Sequence, residues 1–193
     1  PAMIMVKNLG STGNWVVWHK NLASQTNNYL RLDTDQAPGT TTNYWNNAAP
    51  TNQVFGVSPD GYNNNKNGEN IIAYCFAEKT GYSKFGSYTG NGNVDGTFIY
   101  TGFAPAFVMT KRTDNTSDWL ICDNKRPGYN VINKKLFPNQ TQAEDSYDSF
   151  DFVSNGFKIR SSGSGHNASG GTFVYMAFGQ SLVGSNNIPS TAR

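Results

Sequence analysis

Short runs of apolar and β-branched residues, separated by turn-forming residues, make up most of this chain. Residues 3–7 and 107–111 are apolar runs rich in strand-forming side chains. Residues 15–19 and 119–123 follow them after segments of Asn, Ser, Gly and Asp. In residues 72–77, large and small side chains alternate with the period of two that separates the faces of a strand. The pattern predicts β-hairpins that pack their large side chains against a second sheet.

The same pattern occurs twice along the chain. Residues 1–7 (PAMIMVK) match residues 105–111 (PAFVMTK), an offset of 104 residues. Further matches follow in the same order: residues 15–18 with 119–122, Leu32 with Leu136, residues 60–62 with 155–157, and residues 72–77 with 174–179. Ordered matches of this kind identify two copies of one structural unit. Trp15 and Trp119 should then share one environment, both buried or both at equivalent rims.

We expect a single domain over residues 1–193, because about four strands per copy are too few to close a stable core. The expected fold is all-β: an antiparallel β-sandwich of the jelly-roll or concanavalin-like kind, built from two pseudo-repeats packed face to face. Its expected parts are the first repeat at about 1–80, a connector hairpin at 81–103, the second repeat at about 104–180, and a C-terminal tail at 181–193.

Composition excludes several classes of protein. The chain has 25 Asn and 20 Gly but only three Glu and seven Leu, which excludes a helical bundle. The net charge of +2 comes from scattered residues, so no basic face predicts nucleic-acid binding. No apolar run approaches the roughly 20 residues of a membrane span, so no membrane insertion is expected. Gly61 and Gly156 are expected to supply positive φ just before a strand.

Two segments resemble functional motifs, and a structural interpretation is favoured for each. Residues 144–151 form the densest acidic cluster, but glycosidases need a carboxylate pair about 5–9.5 Å apart on a strand, and only Asp151 borders an apolar run. We expect a solvated loop there. Residues 163–171 (GSGHNASGG) resemble a phosphate loop, but a β-rich run follows instead of a helix. A flexible hairpin loop with an exposed His166 is expected.

The histidines and cysteines do not occur in any spacing that is typical of a metal site or a catalytic site. His19 and His166 are the only histidines, no Cys or His spacing suits zinc, and no Gly-x-Ser-x-Gly motif is present. Cys75 and Cys122 lie in apolar runs and are expected to be buried free thiols. Asn167-Ala-Ser fits the glycosylation pattern but is interpreted as a chance match. We therefore predict no catalytic residue, no metal and no cofactor.

The best ligand-binding candidates combine aromatic faces with amide groups, as sugar sites do. They are Tyr44, Trp45, Tyr62 and Asn64. The alternative for Trp45 is that its indole fills the core of the sandwich, because Trp is usually largely buried.

Motifs over residues 84–193 resemble a repeat found in tail and fibre proteins of tailed bacteriophages, especially marine and cyanobacterial ones. The motifs are GSYTGNG (86–92), TGFAPAF (101–107), KRTD (111–114), LFPN (136–139), SNGFKIR (154–160), GHNASGG (165–171), YMAF (175–178) and PSTAR (189–193). The first repeat resembles a more divergent copy. The resemblance implies a virion structural protein with a concanavalin-like or SPRY-like sandwich, made in the host cytoplasm and located in the virion.

That resemblance implies a non-enzymatic tail-fibre, tail-tip or capsid-surface module. Its expected partners are a host surface glycan or neighbouring virion proteins. Two alternatives stay open: a polysaccharide depolymerase and a purely architectural subunit. Phage fibres of this kind are commonly trimers, so a homo-oligomer is expected. The tail at 181–193 is the expected contact segment, because Leu182, Val183 and Ile188 need a partner surface to become ordered.

Overall fold

The computed structural model describes residues 1–58 and 64–180 and contains two antiparallel β-sheets. The strands are β1 (Met3–Asn8), β2 (Val16–His19), β3 (Asn28–Arg31), β4 (Gly39–Thr40), β5 (Ile71–Phe76), β6 (Ser83–Thr89), β7 (Phe98–Tyr100), β8 (Pro105–Arg112), β9 (Trp119–Asp123), β10 (Ile132–Leu136), β11 (Asp145–Val153), β12 (Gly156–Ile159) and β13 (Thr172–Gly179). One helical turn, α1 (Ser164–Asn167), precedes β13. The first sheet has the order β4-β3-β2-β1-β5, and the second has the order β6-β13-β8-β9-β10-β11-β12-β7. The predicted all-β, sandwich-like fold is confirmed.

Strand pairing reproduces the repeat found in the sequence. Met3 pairs with His19 across β1 and β2, and Phe107 pairs with Asp123 across β8 and β9, which is the same register shifted by 104 residues. Met3 of β1 pairs with Phe76 of β5, and the counterpart of Met3, Phe107 of β8, pairs with Phe178 of β13. The offset between the repeats is 104 residues for β1 and β8, and 102 residues for β5 and β13. Strands β2-β1-β5 and β9-β8-β13 are therefore two copies of one three-stranded unit.

The two units pack through equivalent faces. The inter-sheet core takes Met5 and Val17 from the first sheet and their offset counterparts Met109 and Ile121 from the second. The other face of the second sheet encloses its own cluster, which includes Val108, because that sheet curls until it is nearly closed. The described residues thus form three cores: one shared between the sheets, one inside the larger sheet, and one on the outer face of the first sheet around Trp18 and Trp45.

The two tryptophans at equivalent positions both pack against the inter-sheet core but differ in exposure. Trp119 is 2% exposed, and its indole N–H donates to the carbonyl oxygen of Arg31 at 2.7 Å. Trp15 is only half-buried, and its ring stacks on that of Tyr74 with centroids 6.1 Å apart. The prediction of matched environments is wrong because Trp15 lies beside β5, the exposed last strand of its sheet.

The third strand of each unit departs from the constant offset. Val17 pairs with Leu30, whereas Ile121, the counterpart of Val17, pairs with Leu136. The structural counterpart of Leu136 is therefore Leu30 and not Leu32, a shift of two residues. A shift of two keeps the same side chains on the same face, so the apolar pattern alone does not reveal it.

The connector does not form the expected hairpin. β6 pairs with β13 at one end of the second sheet, and β7 pairs with β12 at the other end. The Thr97 hydroxyl donates to the carbonyl oxygen of Thr89 at 2.7 Å, which links the segments that follow β6 and precede β7. The connector thus carries the chain from one edge of the curled sheet to the other.

Gly156 is required by a close backbone approach and not by positive φ. Gly156 of β12 pairs with Tyr100 of β7. A Cβ atom at Gly156 would lie only 2.1 Å from the carbonyl oxygen of Ile99. Gly156 is absent from the glycines with positive φ, so that expectation is wrong. The matching expectation for Gly61 lies outside the described residues.

Candidate functional site

The predicted aromatic ligand site is occupied by core residues. Trp45 is fully buried and Tyr44 is 7% exposed, both against the outer face of β1 and β2. The Trp45 indole N–H donates to the carbonyl oxygen of Asn28 at 2.9 Å, and the buried Asn64 amide donates to that of Tyr44 at 2.7 Å. The structure therefore brings these three residues together as a cap on the first sheet, and it favours the alternative in which Trp45 fills a core. Tyr62 lies outside the described residues.

The acidic segment is a strand and not a solvated loop. Its residues from Asp145 onward form β11, and the carboxylates whose contacts are described are paired with cations of neighbouring segments. The ion pairs are Glu144 with Arg126 at 2.6 Å, Asp145 with Lys135 at 3.3 Å, and Asp151 with Arg160 at 3.4 Å. These contacts give the cluster a role in holding strands together.

The centre of the glycine-rich segment at 163–171 is a buried helical turn, whereas the sequence predicts a flexible hairpin loop. Asn167 in α1 is fully buried, and its amide nitrogen lies 3.1 Å from Asn91 Oδ1, 2.8 Å from the carbonyl oxygen of Asn93 and 2.6 Å from that of Ser161. The backbone N–H of Asn91 donates to Asn167 Oδ1 at 3.0 Å. Asn167 therefore joins two of the glycine-rich motifs, and an amide in this position is closed to glycosylation.

Both histidines are buried, so the expected exposure of His166 is wrong. His19 Nε2 lies 3.1 Å from the carbonyl oxygen of Tyr175, and His19 Nδ1 accepts from the backbone N–H of Asn21 at 3.1 Å. These partners require the neutral tautomer with its proton on Nε2. Burial lowers the pKa of His19 and of His166 to about 4 each. Both rings are therefore uncharged structural groups at neutral pH.

The two cysteines differ in exposure. Cys122 is buried, and burial raises the pKa of its thiol to about 12. Cys75 is exposed on β5, so the expectation of two buried thiols is wrong for this residue. Its exposure follows from the position of β5 at the end of the first sheet.

A cleft of about 630 Å³ lies between the two sheets. We call it the inter-sheet cleft. Its lining residues are Asn21, Leu22, Ala23, Asn28 and Pro38 of the first sheet and its turns, and Ser87, Tyr88, Thr89, Thr113, Asp114 and Thr172 of the second. Eight of these eleven side chains carry an amide, a hydroxyl or a carboxylate group. Such a lining offers both hydrogen-bond donors and acceptors.

Asp114 anchors one wall of the inter-sheet cleft. Its Oδ1 accepts from Arg112 Nε and from the backbone N–H of Thr172, both at 3.0 Å, and its Oδ2 accepts from an Arg112 terminal nitrogen at 2.8 Å. The Arg112 hydrogen bonds lower the pKa of Asp114 to about 2. Thr113 adds a hydroxyl contact to the Thr172 hydroxyl at 2.8 Å. The Asp114 carboxylate in this wall is therefore ionised at neutral pH and held in one position by its hydrogen bonds.

Further polar groups, from both sheets, face the cleft. The Asn21 side chain is exposed and donates to the Ser87 hydroxyl at 3.4 Å, a long bond that a ligand can replace. Thr89 is exposed as well, two residues further along the same strand and on the same face as Ser87. The Tyr88 hydroxyl turns away and donates to the carbonyl oxygen of His166 at 2.8 Å.

The lining defines what the cleft can do chemically. Asp114 is its single carboxylate and is held ionised by Arg112, so the lining supplies no carboxyl pair for glycoside hydrolysis. Within residues 1–58 and 64–180, no group of three His, Cys, Asp or Glu side chains could hold a metal ion. The same part of the chain has no helix long and apolar enough to cross a membrane. The arrangement suits reversible binding of a neutral polar ligand.

Sequence reasoning missed every residue of the inter-sheet cleft. Ser87, Thr89 and Thr172 are ordinary polar positions on strands, and they meet Asn21 only because β6 and β13 pack across from the turn after β2. The sequence did contain a pattern from which the contact made by the buried Asn167 could have been predicted. Asn91 and Asn167 each lie inside a glycine-rich motif, and two such motifs in one repeat suggest a contact between them.

Comparison with known proteins places the chain in a family. A family model described as a domain of unknown function (DUF7483) matches residues 1–181, so the chain belongs to that family. No curated protein matches the chain. No solved structure matches it either.

Proposed function

We propose that this member of the family is a non-enzymatic surface module of a tailed-bacteriophage virion and that it binds a host-cell glycan in the inter-sheet cleft. The cleft carries the proposal: it is concave, it combines apolar surface with side chains that bear amide and hydroxyl groups, and its wall at Asp114 is fixed by Arg112. Neutral sugars present many hydroxyls that need both donors and acceptors. The virion context rests on the resemblance of residues 84–193 to phage tail and fibre repeats.

The experiment is a binding screen on an array of bacterial surface polysaccharides, followed by calorimetry with the best ligand. Asn21→Ala and Thr89→Val each remove one side-chain hydrogen-bonding group from the cleft. A lost hydrogen bond is worth about 0.5–1.5 kcal/mol, so each change should weaken binding about 2- to 10-fold. Asn52→Ala removes an exposed amide outside the cleft and should leave the Kd unchanged.

The alternatives give different outcomes in the same screen. Release of oligosaccharides from a bound polysaccharide would identify a depolymerase and overturn the non-enzymatic assignment. No binding, together with stable incorporation into particles, would identify a purely architectural subunit. Binding that is unchanged in Asn21→Ala and Thr89→Val would move the site away from the cleft. Immunogold labelling of particles tests the virion location directly.

We also propose a homo-oligomer, with a trimer favoured, as in other phage fibre proteins. The segment expected to make the contact, residues 181–193, lies outside the described residues. Light scattering on the intact chain measures the assembly state. Deleting residues 185–193 should lower the molar mass without changing the β-sheet signal in circular dichroism. A monomer at high concentration contradicts this proposal.

A further inference from the structure

The last strand of the first sheet has an unpaired edge. Among the residues that the structure describes, β5 pairs with β1 on one side and with no strand on the other. β13 is its counterpart in the second unit, and β13 pairs with β8 on one side and with β6 on the other. Within residues 1–58 and 64–180, the first unit therefore has no counterpart of β6.

The side chains of β5 are correspondingly exposed. Tyr74 is 47% exposed, whereas its counterpart Met176 is 6% exposed, and Ile71 is 36% exposed, whereas its counterpart Phe173 is fully buried. Natural edge strands are usually protected by charges, prolines or bulges. The sequence of β5, IIAYCF, contains no charged residue and no proline, and its pairing with β1 is regular. The free edge of β5 therefore has none of the features that usually prevent pairing with another strand.

β6 indicates the kind of segment that fits such an edge. It runs antiparallel to β13 over seven residue pairs, from Ser83 opposite Phe178 to Thr89 opposite Thr172. Phe85 of β6 is 1% exposed in the inter-sheet core. The next residue must be small, because a Cβ at Gly86 would lie 2.7 Å from atoms of the Tyr175 ring.

We propose that β5 accepts an antiparallel β-strand from a partner protein. By the repeat register, the strand places an aromatic side chain opposite Tyr74, as β6 places Phe85 opposite Met176. The residue opposite Ala73 need not be as small as Gly86, because Ala73 has no ring like that of Tyr175. Backbone hydrogen bonds along the edge supply affinity, and the aromatic position supplies selectivity. This partner site is separate from the glycan cleft, and β5 contributes no residue to that cleft.

The test uses a synthetic peptide with the sequence of residues 82–90, YSKFGSYTG, and hydrogen exchange on the intact chain. At ten times its Kd the peptide should slow exchange of the β5 amides that do not bond to β1 about tenfold, by mass action. Two matched control peptides are N-methylated at the odd or at the even positions. Alternate N–H groups of a strand point to opposite sides, so one control should bind like the parent peptide and the other should fail.

Several results would overturn the proposal. The first is a peptide that does not protect the β5 amides from exchange. The second is equal binding of both methylated controls, which would indicate side-chain contact without strand pairing. Protection of the outward β5 amides without any peptide means that the edge is already covered. If that protection rises with protein concentration, a second copy covers it; if it does not, the chain covers its own edge. Glycan affinity is measured in parallel and should not change when the peptide binds.

Discussion

At the residue scale, the two equivalent tryptophans allow a paired test of burial. Trp119→Ala removes a side chain that is 2% exposed and leaves the Arg31 carbonyl oxygen without its indole donor, so the free energy of unfolding should fall by about 3–5 kcal/mol. Trp15→Ala removes a half-buried ring and one aromatic contact, and should cost about 1–2 kcal/mol. Denaturant unfolding measures both. Equal costs would contradict the difference in burial.

The buried histidines predict a loss of stability at mildly acidic pH. Their pKa is about 4 in the folded protein and about 6.5 in the unfolded chain, so between these values the unfolded chain binds more protons. Stability is fully present above about pH 6.5 and falls as the pH drops toward 4, by roughly 3 kcal/mol for each histidine. The charged neighbours are Lys20 and Glu78 for His19, and Lys135 for His166.

Single variants separate the two contributions. His19→Gln keeps a donor for the carbonyl oxygen of Tyr175 but does not titrate, so it should halve the slope of unfolding free energy against pH between about pH 6.5 and pH 5. His166→Gln should do the same, and the double variant should show almost no slope there. The slope is informative even if the variants are less stable at neutral pH. A slope equal to that of the unmodified chain in all variants refutes the assignment.

At the element scale, Asn167 holds the connector to α1. Asn167→Ala leaves the carbonyl oxygens of Asn93 and Ser161 and the N–H of Asn91 without a side-chain partner, and each unpaired buried group costs about 1–3 kcal/mol. We expect a total loss of roughly 3 kcal/mol or more. Asn115→Ala, at an exposed position, should stay within about 0.5 kcal/mol of the unmodified chain. Thermal unfolding measures both, and equal midpoints would contradict the role of Asn167.

The same scale shows what the sequence could predict. Apolar strands with period two and a repeated motif were enough to predict the all-β fold and the pairing of β1 with β2, because register is fixed wherever one face is buried. The expected connector hairpin failed because β6 and β7 separate to opposite edges, which depends on how far the sheet curls. The expected loop around Asn167 failed because three backbone partners for one amide come together only in the folded chain.

At the scale of the whole molecule, the structure buries three of the residues predicted to bind a ligand, Tyr44, Trp45 and Asn64. An aromatic residue beside amides is compatible with a sugar site or with a core, and Trp45 is covered on the outer face of the first sheet. The inter-sheet cleft, by contrast, is made of turn and strand residues far apart in sequence, such as Asn21 and Thr172. No local pattern identifies such a cleft, because it is created by the packing of two sheets.

The shared core predicts how the chain behaves when it is divided. A cut within the connector after Ser83 would divide β6, so the chain is best divided between Thr80 and Gly81. Residues 1–80 alone lose the half of the inter-sheet core that contains Met109 and Val174, and should not unfold cooperatively. Residues 81–193 keep the core inside the curled sheet and should stay folded while exposing the inter-sheet face.

Mixing the two fragments completes the test, because the inter-sheet core can form only when both sheets are present. Circular dichroism should show fragment 1–80 largely unfolded alone and ordered after an equimolar amount of fragment 81–193 is added. Fluorescence of a hydrophobic dye on fragment 81–193 should fall on the same addition, as the face around Phe85 and Met109 is covered. Introducing Met109→Lys into the larger fragment places a charge in that core and should abolish the recovery. A fragment 1–80 that melts cooperatively as a monomer would show instead that the core around Trp45 keeps the first repeat folded without the inter-sheet core.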